Sequence, residues 1–410
     1  MPIDFELTPQ QERLRQTARE LGQDFAERAV EHDEDRSAPI ENFHKLRDAG
    51  FYGLVVPQEL GGLGEGIVGW TVVAEELAKG DAATALGFNM HVNATGGTLH
   101  RHDIPADVRE RVAKLAVEEG KLMATSVSEP GSSSLLVGSL NPALKARQVD
   151  GGWELHGRKM PLSIFEAADY TYLYAHPEGH PNPAKAVALM VDNQQDGKIS
   201  VTDLWDVIGM RSTRSNQVDF DGAFVPNEWQ LYETDNFVES FLMEEADFAF
   251  GGYTACYLGL GLGIVEWAQR YLSSRKGKGY AQELGYHPTS SRRMGEMVAD
   301  MESVRFLVYR AAWESDARGP GMENFSRWIQ AKLAVGNAVQ RTINNAAVAC
   351  GVRSLFRSQG LELKFRDGVT AAIMPPNNDA AAEMIGLITM GLDPSQAPSL
   401  RLEEPEPARA

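Results

Sequence analysis

The chain has 410 residues, with 39 Lys and Arg against 57 Asp and Glu for a formal charge of −18, and it is 43% hydrophobic and 23% charged. This is globular composition, long enough for two or three domains of roughly 100–200 residues, and it excludes disorder of the whole chain. The negative balance argues against nucleic acid or an anionic membrane as partner, since both require a basic footprint, and no basic cluster stands out.

The opening Met-Pro-Ile-Asp-Phe-Glu lacks a basic n-region and an apolar h-region, and no uninterrupted apolar run reaches the roughly 18–20 residues of a membrane span. Only Cys256 and Cys350 occur, each within an apolar helix-like stretch, so neither a disulfide framework nor a cysteine-rich metal site can be built. A soluble, unprocessed protein of a reducing, cytoplasmic compartment is expected, with no metal.

Residues 1–122 read as a helical domain. Thr8-Pro9-Gln10-Gln11 is a capping box with Pro at the first helical position, and it opens a helical period through Leu14, Ala18, Leu21 and Phe25. Further helices are predicted near 40–50, 67–79 and 105–119, punctuated by Gly61-Gly62-Leu63-Gly64 and Gly96-Gly97. Residues 123–235 change period. Ala143–Val149, Trp153–His156, Tyr170–Tyr174, Ala186–Val191 and Asn216–Val225 are short β-branched or alternating runs separated by turn residues, predicting a small antiparallel β domain. Residues 236–393 return to a helical bundle, with helices near 256–274, 291–315 and 324–350 and a last one opening near Asn378, capped by Asn378 or Asp379. The Pro-rich acidic tail, 394–410, is expected to be disordered. The fold class is therefore α+β, with a helical domain, a β domain and a helical bundle in that order.

Several chemistries lack their motif: there is no Gly-x-x-x-x-Gly-Lys-Ser/Thr, no His-Glu-x-x-His and no Gly-x-Ser-x-Gly. Gly259, Gly261 and Gly263 have the wrong spacing for a dinucleotide fingerprint and follow no strand, so close helix packing is their expected role. His100 and His102, the one close histidine pair, have no carboxylate or thiol constellation and read as loop residues. The segment that stands out is Thr125-Ser126-Val127-Ser128-Glu129-Pro130-Gly131-Ser132-Ser133-Ser134. A strand running into a hydroxyl-rich Pro-Gly turn groups backbone N–H and Ser O–H donors, which suits the polar edge of a flat heterocycle or a phosphate. An ordinary Ser-rich turn is the alternative.

The same segment resembles the Thr-Glu-Pro-Gly-Ala-Gly-Ser flavin loop of the acyl-CoA dehydrogenase superfamily. Three further segments are similar to motifs of that family: Tyr52-Gly53-Leu54-Val55-Val56-Pro57 with Glu59–Gly64, Gly157-Arg158-Lys159-Met160, and Ile208-Gly209-Met210-Arg211-Ser212 through Val225-Pro226. The resemblance spans about residues 5–392 and implies a flavoprotein that holds FAD between β domain and C-terminal helices, completed by a neighbouring subunit of a homo-oligomer, a dimer or a homotetramer built as a dimer of dimers. By position it implies flavin contacts at Val127, Ser128, Ser134 and Ser163, the last keeping a hydroxyl that can donate toward flavin N5. The family's Trp-x-Thr is Pro161-Leu162-Ser163 here, so the aromatic ring is lost. Arg275 falls where the family meets the FAD pyrophosphate, a structural salt bridge being its other reading, and Gly351 falls where a paired glycine serves the adjoining subunit. The family's Gln at that crossing is Val348.

Family dehydrogenases abstract an α-proton from an acyl thioester with a Glu whose backbone N–H also holds the thioester carbonyl, while the β-hydride passes to flavin N5. Counting from Arg366-Asp367 places that Glu on Pro375, which has neither carboxylate nor N–H. Losing one such donor costs on the order of 3 kcal/mol of barrier. Asn377 and Asn378 are candidate replacement donors. Other family members carry the base at the start of the first C-terminal helix, and there Glu245, one helical turn before Ala249, is the candidate, a solvated acidic turn with Glu244 and Asp247 being its bland alternative. The family's substrate-anchoring Arg after that base is Ala246. Three readings follow: a dehydrogenase of a CoA- or carrier-linked acyl thioester with Glu245 as base, a flavin-dependent monooxygenase or oxidase of the same fold, and a partner subunit with an incomplete site.

Overall fold

A computed structural model describes residues 6–130 and 142–392. Six helices come first: α1 (Pro9–Ala26), α2 (Ala29–Asp35), α3 (Ile40–Asp48), α4 (Ile67–Gly80), α5 (Ala82–Leu99) and α6 (Ala106–Val117). The predicted capping box opens α1, with the Gln11 N–H donating to Thr8 Oγ1 and the Thr8 N–H to Gln11 Oε1, both at 3.1 Å. Helix α5 departs from the prediction: Gly96-Gly97 lie inside it and every one of its residues is buried. A helix covered on all sides has no apolar stripe for a periodicity to report. Its start is fixed by Asp81, whose carboxylate accepts from the Ala83 and Thr84 N–H groups at 3.0 and 3.3 Å.

The β layer contains β1 (Met123–Ser126), β2 (Lys145–Val149), β3 (Gly152–Leu162), β4 (Tyr170–Pro177), β5 (Ala186–Asp192), β6 (Ile199–Thr202), β7 (Asn216–Pro226) and β8 (Gln230–Thr234). The order across the sheet is β6-β7-β3-β2-β4-β5-β8, with β1 paired to β4. Most pairings are antiparallel as expected, but β1–β4 and β2–β4 are parallel. The sequence pattern missed β6 and β8, short strands at the two ends of the sheet order. Next come α7 (Phe237–Glu244), α8 (Ala246–Ser274), α9 (Pro288–Arg318), α10 (Met322–Cys350), α11 (Leu361–Val369) and α12 (Asn378–Thr389).

Helix α8 is the axis of the molecule, packing on α4, α5, α9 and α10. By length and composition it could cross a membrane, but 89% of its most apolar window is buried within the protein, as in a core helix. Its glycines mark the crossings. A Cβ on Gly259 would lie 2.3 Å from the Glu75 carbonyl of α4, and one on Gly263 2.7 Å from the Lys79 carbonyl, so this alternation is helix packing. A Cβ on Gly252 would strike Asn89 of α5. These close approaches draw α4 and α5 onto α8, and the ends of β1 and β3 meet α5 and α8 at one cavity.

Candidate functional site

The cavity encloses about 1020 Å³ of empty space, its mouth included. Its floor is the end of β1 with Val127 and Ser128, one side is Pro161 and Ser163 at the end of β3, and the opposite walls are Met90 and Asn93 of α5, Phe241 of α7 and Tyr253 of α8. Met374 and Pro375, from the turn before α12, close it. Among the described residues, no Asp, Glu, Lys, Arg or His lines it.

Two segments singled out by the sequence are joined behind this floor. Lys159 of β3, fully buried, donates to Glu129 Oε1 at 2.6 Å, and Glu129 also accepts from the N–H groups of Ala143 and Leu144. Burial alone lowers the Lys159 pKa, and Glu129 opposes that by favouring the ammonium. The Met160 N–H donates to the Ser128 carbonyl at 3.2 Å, so the ends of β1 and β3 are held side by side. His91 of α5 ties β1 to the helical layer: its Nε2 stands 2.9 Å from the Tyr52 carbonyl, and the Met123 N–H donates to its Nδ1 at 3.2 Å. These partners fix the neutral Nε2–H tautomer, and burial pushes the ring down to about 4. His91 does not line the cavity, whereas Trp205 does.

Three of the residues implied by the resemblance, Val127, Ser128 and Ser163, therefore share one cavity. Ser134 lies outside the described residues. The Ser163 hydroxyl stands 2.7 Å from that of Ser215. Arg275 stands away from the cavity at the end of α8, with its guanidinium 4.2 Å above the Tyr271 ring and a 2.6 Å hydrogen bond to Gln359. Among the described residues no carboxylate pairs with it, so the salt-bridge reading is not met. Gly351 lines a separate hollow between the 280–290 loop and the end of α10, beside exposed Val348.

Glu245 is a correction. It falls in the break between α7 and α8, with φ −123° and ψ −12°, and while Phe241 before it and Ala249, Phe250 and Tyr253 after it reach the cavity, Glu245 does not. Its carboxylate is fully buried among Tyr172, Tyr174, Tyr232 and Arg101. Oε1 accepts from Arg101 Nη1 at 3.0 Å, Tyr172 at 2.9 Å and Tyr232 at 2.5 Å, while Tyr174 donates to Oε2. Burial raises the Glu245 pKa against the pull of Arg101 and the hydroxyls. All three tyrosines are held well above their usual range, by burial first and by Glu245 next. Nor is Glu245 part of a solvated acidic turn.

Asn377 and Asn378 are a second correction. Asn377, not Asn378 or Asp379, caps α12, accepting from the Ala380 N–H at 2.9 Å. Asn378 is held between Lys332 and Asn337. Neither lines the cavity, so neither is a replacement donor there.

Asn93, which sequence reasoning missed, and Ser126, one hydroxyl of the segment singled out above but given no contact there, do face this space. Asn93 and Ser126 line the cavity, each 2% exposed, and neither Asn93 Oδ1 nor Ser126 Oγ has a hydrogen-bond partner. An unpartnered buried polar atom costs about 1–3 kcal/mol. Two on one cavity mark a place where a ligand completes the hydrogen bonding. An uncharged floor with free hydroxyl and amide groups beside paired strand ends also fits the face of a flat, hydrogen-bonding ring such as a flavin.

Residues 8–118 match the acyl-CoA dehydrogenase N-terminal domain and residues 247–386 its C-terminal domain. The chain belongs to the acyl-CoA dehydrogenase family. It is 28% identical to a putative acyl-CoA dehydrogenase, YdbM, of Bacillus subtilis, over 90% of this chain and 96% of that protein. Its fold is shared with butyryl-CoA dehydrogenase of Megasphaera elsdenii, at TM-score 0.84 and 21% identity over 95% and 100% of the two chains. It is equally shared with FMN-bound TdsC, a dibenzothiophene monooxygenase of Paenibacillus sp. A11-2, at TM-score 0.83 and 22% identity over 92% and 97%. This family membership makes the chain an oxidoreductase of flavoprotein type. Since one fold carries both CoA-thioester dehydrogenation and oxygen insertion, the reaction has to be argued from the cavity.

Proposed function

We propose that the protein is a flavin-dependent monooxygenase or oxidase acting on a neutral, largely apolar substrate. One observation carries this reading: among the described residues no side chain on the cavity can act as a carboxylate base, and Pro375, on which the count from Arg366-Asp367 puts the family's Glu, is one of the residues that line it. Removing a proton α to a thioester requires a positioned base within hydrogen-bond reach, and the polar groups present are hydroxyls, one amide and an indole. A reduced flavin bound here would supply the two electrons with which dioxygen is divided between substrate and water. The chain's own residues would seat the ring on Val127, Ser128 and Ser163, enclose the substrate between Met90, Phe241, Phe250 and Met374, and offer it Asn93 and Ser126. Those apolar walls would keep bulk water away from the substrate and the ring face.

Thioester dehydrogenation remains the competing reading, supported by relatives such as YdbM that are named acyl-CoA dehydrogenases. The partner-subunit reading and the homo-oligomer share a support, since Val348, Val352 and Phe356, 55%, 77% and 61% exposed, cluster near the end of α10 and suit burial against another chain. The deciding experiment is an absorbance titration of protein loaded with FAD or FMN. Anaerobic butyryl-CoA and palmitoyl-CoA should leave the oxidised flavin yellow. Bleaching by either thioester would replace this reading with a dehydrogenase, and failure to take up either flavin would favour the partner-subunit reading.

A further inference from the structure

The cavity wall holds one acceptor and one donor that the protein itself leaves unused. Asn93 Oδ1 and Ser126 Oγ each belong to a side chain only 2% exposed, and neither has a hydrogen-bond partner. Thr125 brings them to the same corner, because its Oγ1 donates to the Met90 carbonyl at 2.8 Å. Ser126 follows Thr125 on β1, and Asn93 stands about one turn beyond Met90 on α5. Since each lacks a partner, they do not satisfy one another. An amide oxygen only accepts, whereas a serine hydroxyl has one proton to give. A ligand that satisfies both therefore brings a donor for Asn93 and an acceptor for Ser126 in one molecule. Charge narrows the class further. Among the described residues no Asp, Glu, Lys, Arg or His lines the cavity, so an ionised ligand would lose its hydration with no counter-charge in return. Leu86 and Met90 share the Asn93 face of α5, and with Phe241 and Phe250 they make the surrounding wall apolar.

We infer that the substrate is a neutral, mainly apolar cyclic amide, whose N–H is accepted by Asn93 Oδ1 and whose carbonyl accepts from the Ser126 hydroxyl. A cyclic amide holds N–H and C=O side by side on one rigid edge and carries no charge. A carboxylic acid has the same pair of groups but ionises at neutral pH, which this wall does not support. The inference deepens the reading above and rests on it for calling the ligand a substrate. A flavin ring carries the same amide chemistry on its pyrimidine edge, so the test separates the two sources.

The test is isothermal titration calorimetry of the full-length protein, with and without FAD or FMN, against 2-quinolone, N-methyl-2-quinolone and naphthalene. These bicycles are similar in size, but the first presents N–H and carbonyl, the second carbonyl alone and the third neither. Wild-type protein should bind 2-quinolone about tenfold more tightly than either analogue, the gain of one well-placed hydrogen bond over an unmade one. Asn93→Leu should bring the two quinolones within about twofold of each other. Ser126→Ala should weaken both quinolones about tenfold and leave naphthalene unchanged, a pattern that a general loss of packing would not give. Comparable binding of all three probes by the wild type, or binding of none, would overturn the inference without recourse to any variant. Loss of flavin binding in Asn93→Leu with the 2-quinolone preference retained would assign that amide to the flavin and overturn it too. Failure to take up either flavin, with the 2-quinolone preference and both variant effects intact, would remove the flavin reading and leave the ligand class standing.

Discussion

Glu245→Gln separates a buried structural carboxylate from a catalytic base. In the wild type the carboxylate accepts from Arg101 and three tyrosine hydroxyls, and the Arg101 side chain is only 2% exposed. Glutamine keeps the shape but offers a single acceptor oxygen and turns an N–H₂ group toward donors. Breaking a buried ion pair from one side costs about 3–5 kcal/mol. Arg101 retains Asp103, at 2.7 and 2.8 Å, so the expected loss lies at the lower end, about 3 kcal/mol. Urea unfolding at pH 7 would read this as a lower midpoint at unchanged slope. Flavin affinity and the oxidation rate of reduced flavin, measured well below the unfolding range, should stay within about twofold, since no Glu245 atom reaches the cavity. A stability loss below about 1 kcal/mol together with loss of substrate-dependent flavin reduction would refute this reasoning and restore Glu245 as the base.

Three other outcomes are expected. His91 is neutral in the fold with a pKa pushed down to about 4 from an ordinary 6.5, so the unfolded chain binds the extra proton between those values. The stability His91 contributes should be complete above about pH 6.5 and fall by about 3 kcal/mol as pH drops toward 4; urea unfolding of wild type and His91→Gln at several pH values should differ by that slope, and parallel curves would contradict the lowered pKa of the buried ring. Asn93→Leu removes an unpartnered buried oxygen and should stabilise the ligand-free protein by about 1 kcal/mol while lowering turnover, as read by thermal melts and product assay; a destabilised variant with normal turnover would show that Asn93 is only structural. Arg275→Ala should weaken FAD binding about tenfold and leave FMN binding unchanged if its guanidinium meets a pyrophosphate; equal effects on both flavins would remove that role.

The order of helices, strands and helices was legible because each layer writes its own period, and the α1 capping box was legible to the residue. Helix α5 was not, since a helix buried on every face shows no stripe and its Gly96-Gly97 reads as a breaker until Phe248 is seen against it: a Cβ on Gly96 would lie 2.5 Å from that ring. The flavin-side segment could be found from its hydroxyls and Pro-Gly turn. Glu245 misled because counting along a helix assumes the helix is continuous, and the break falls on that residue. Its partner Arg101, 144 positions away, carried no local signal. Asn93 carried none either, and Ser126 was visible only as one hydroxyl of that segment, since a missing hydrogen-bond partner is a property of the packed molecule alone.

The central claim is that this cavity does not abstract an α-proton from an acyl thioester. Incubating the flavin-loaded protein with butyryl-CoA in deuterated buffer and following the α-methylene signal by NMR tests that step without requiring hydride transfer or an electron acceptor. The account predicts no exchange above the protein-free rate. Protein-dependent loss of the α-proton signal would contradict it and require a base that this arrangement of Pro375, Asn377 and Glu245 does not supply.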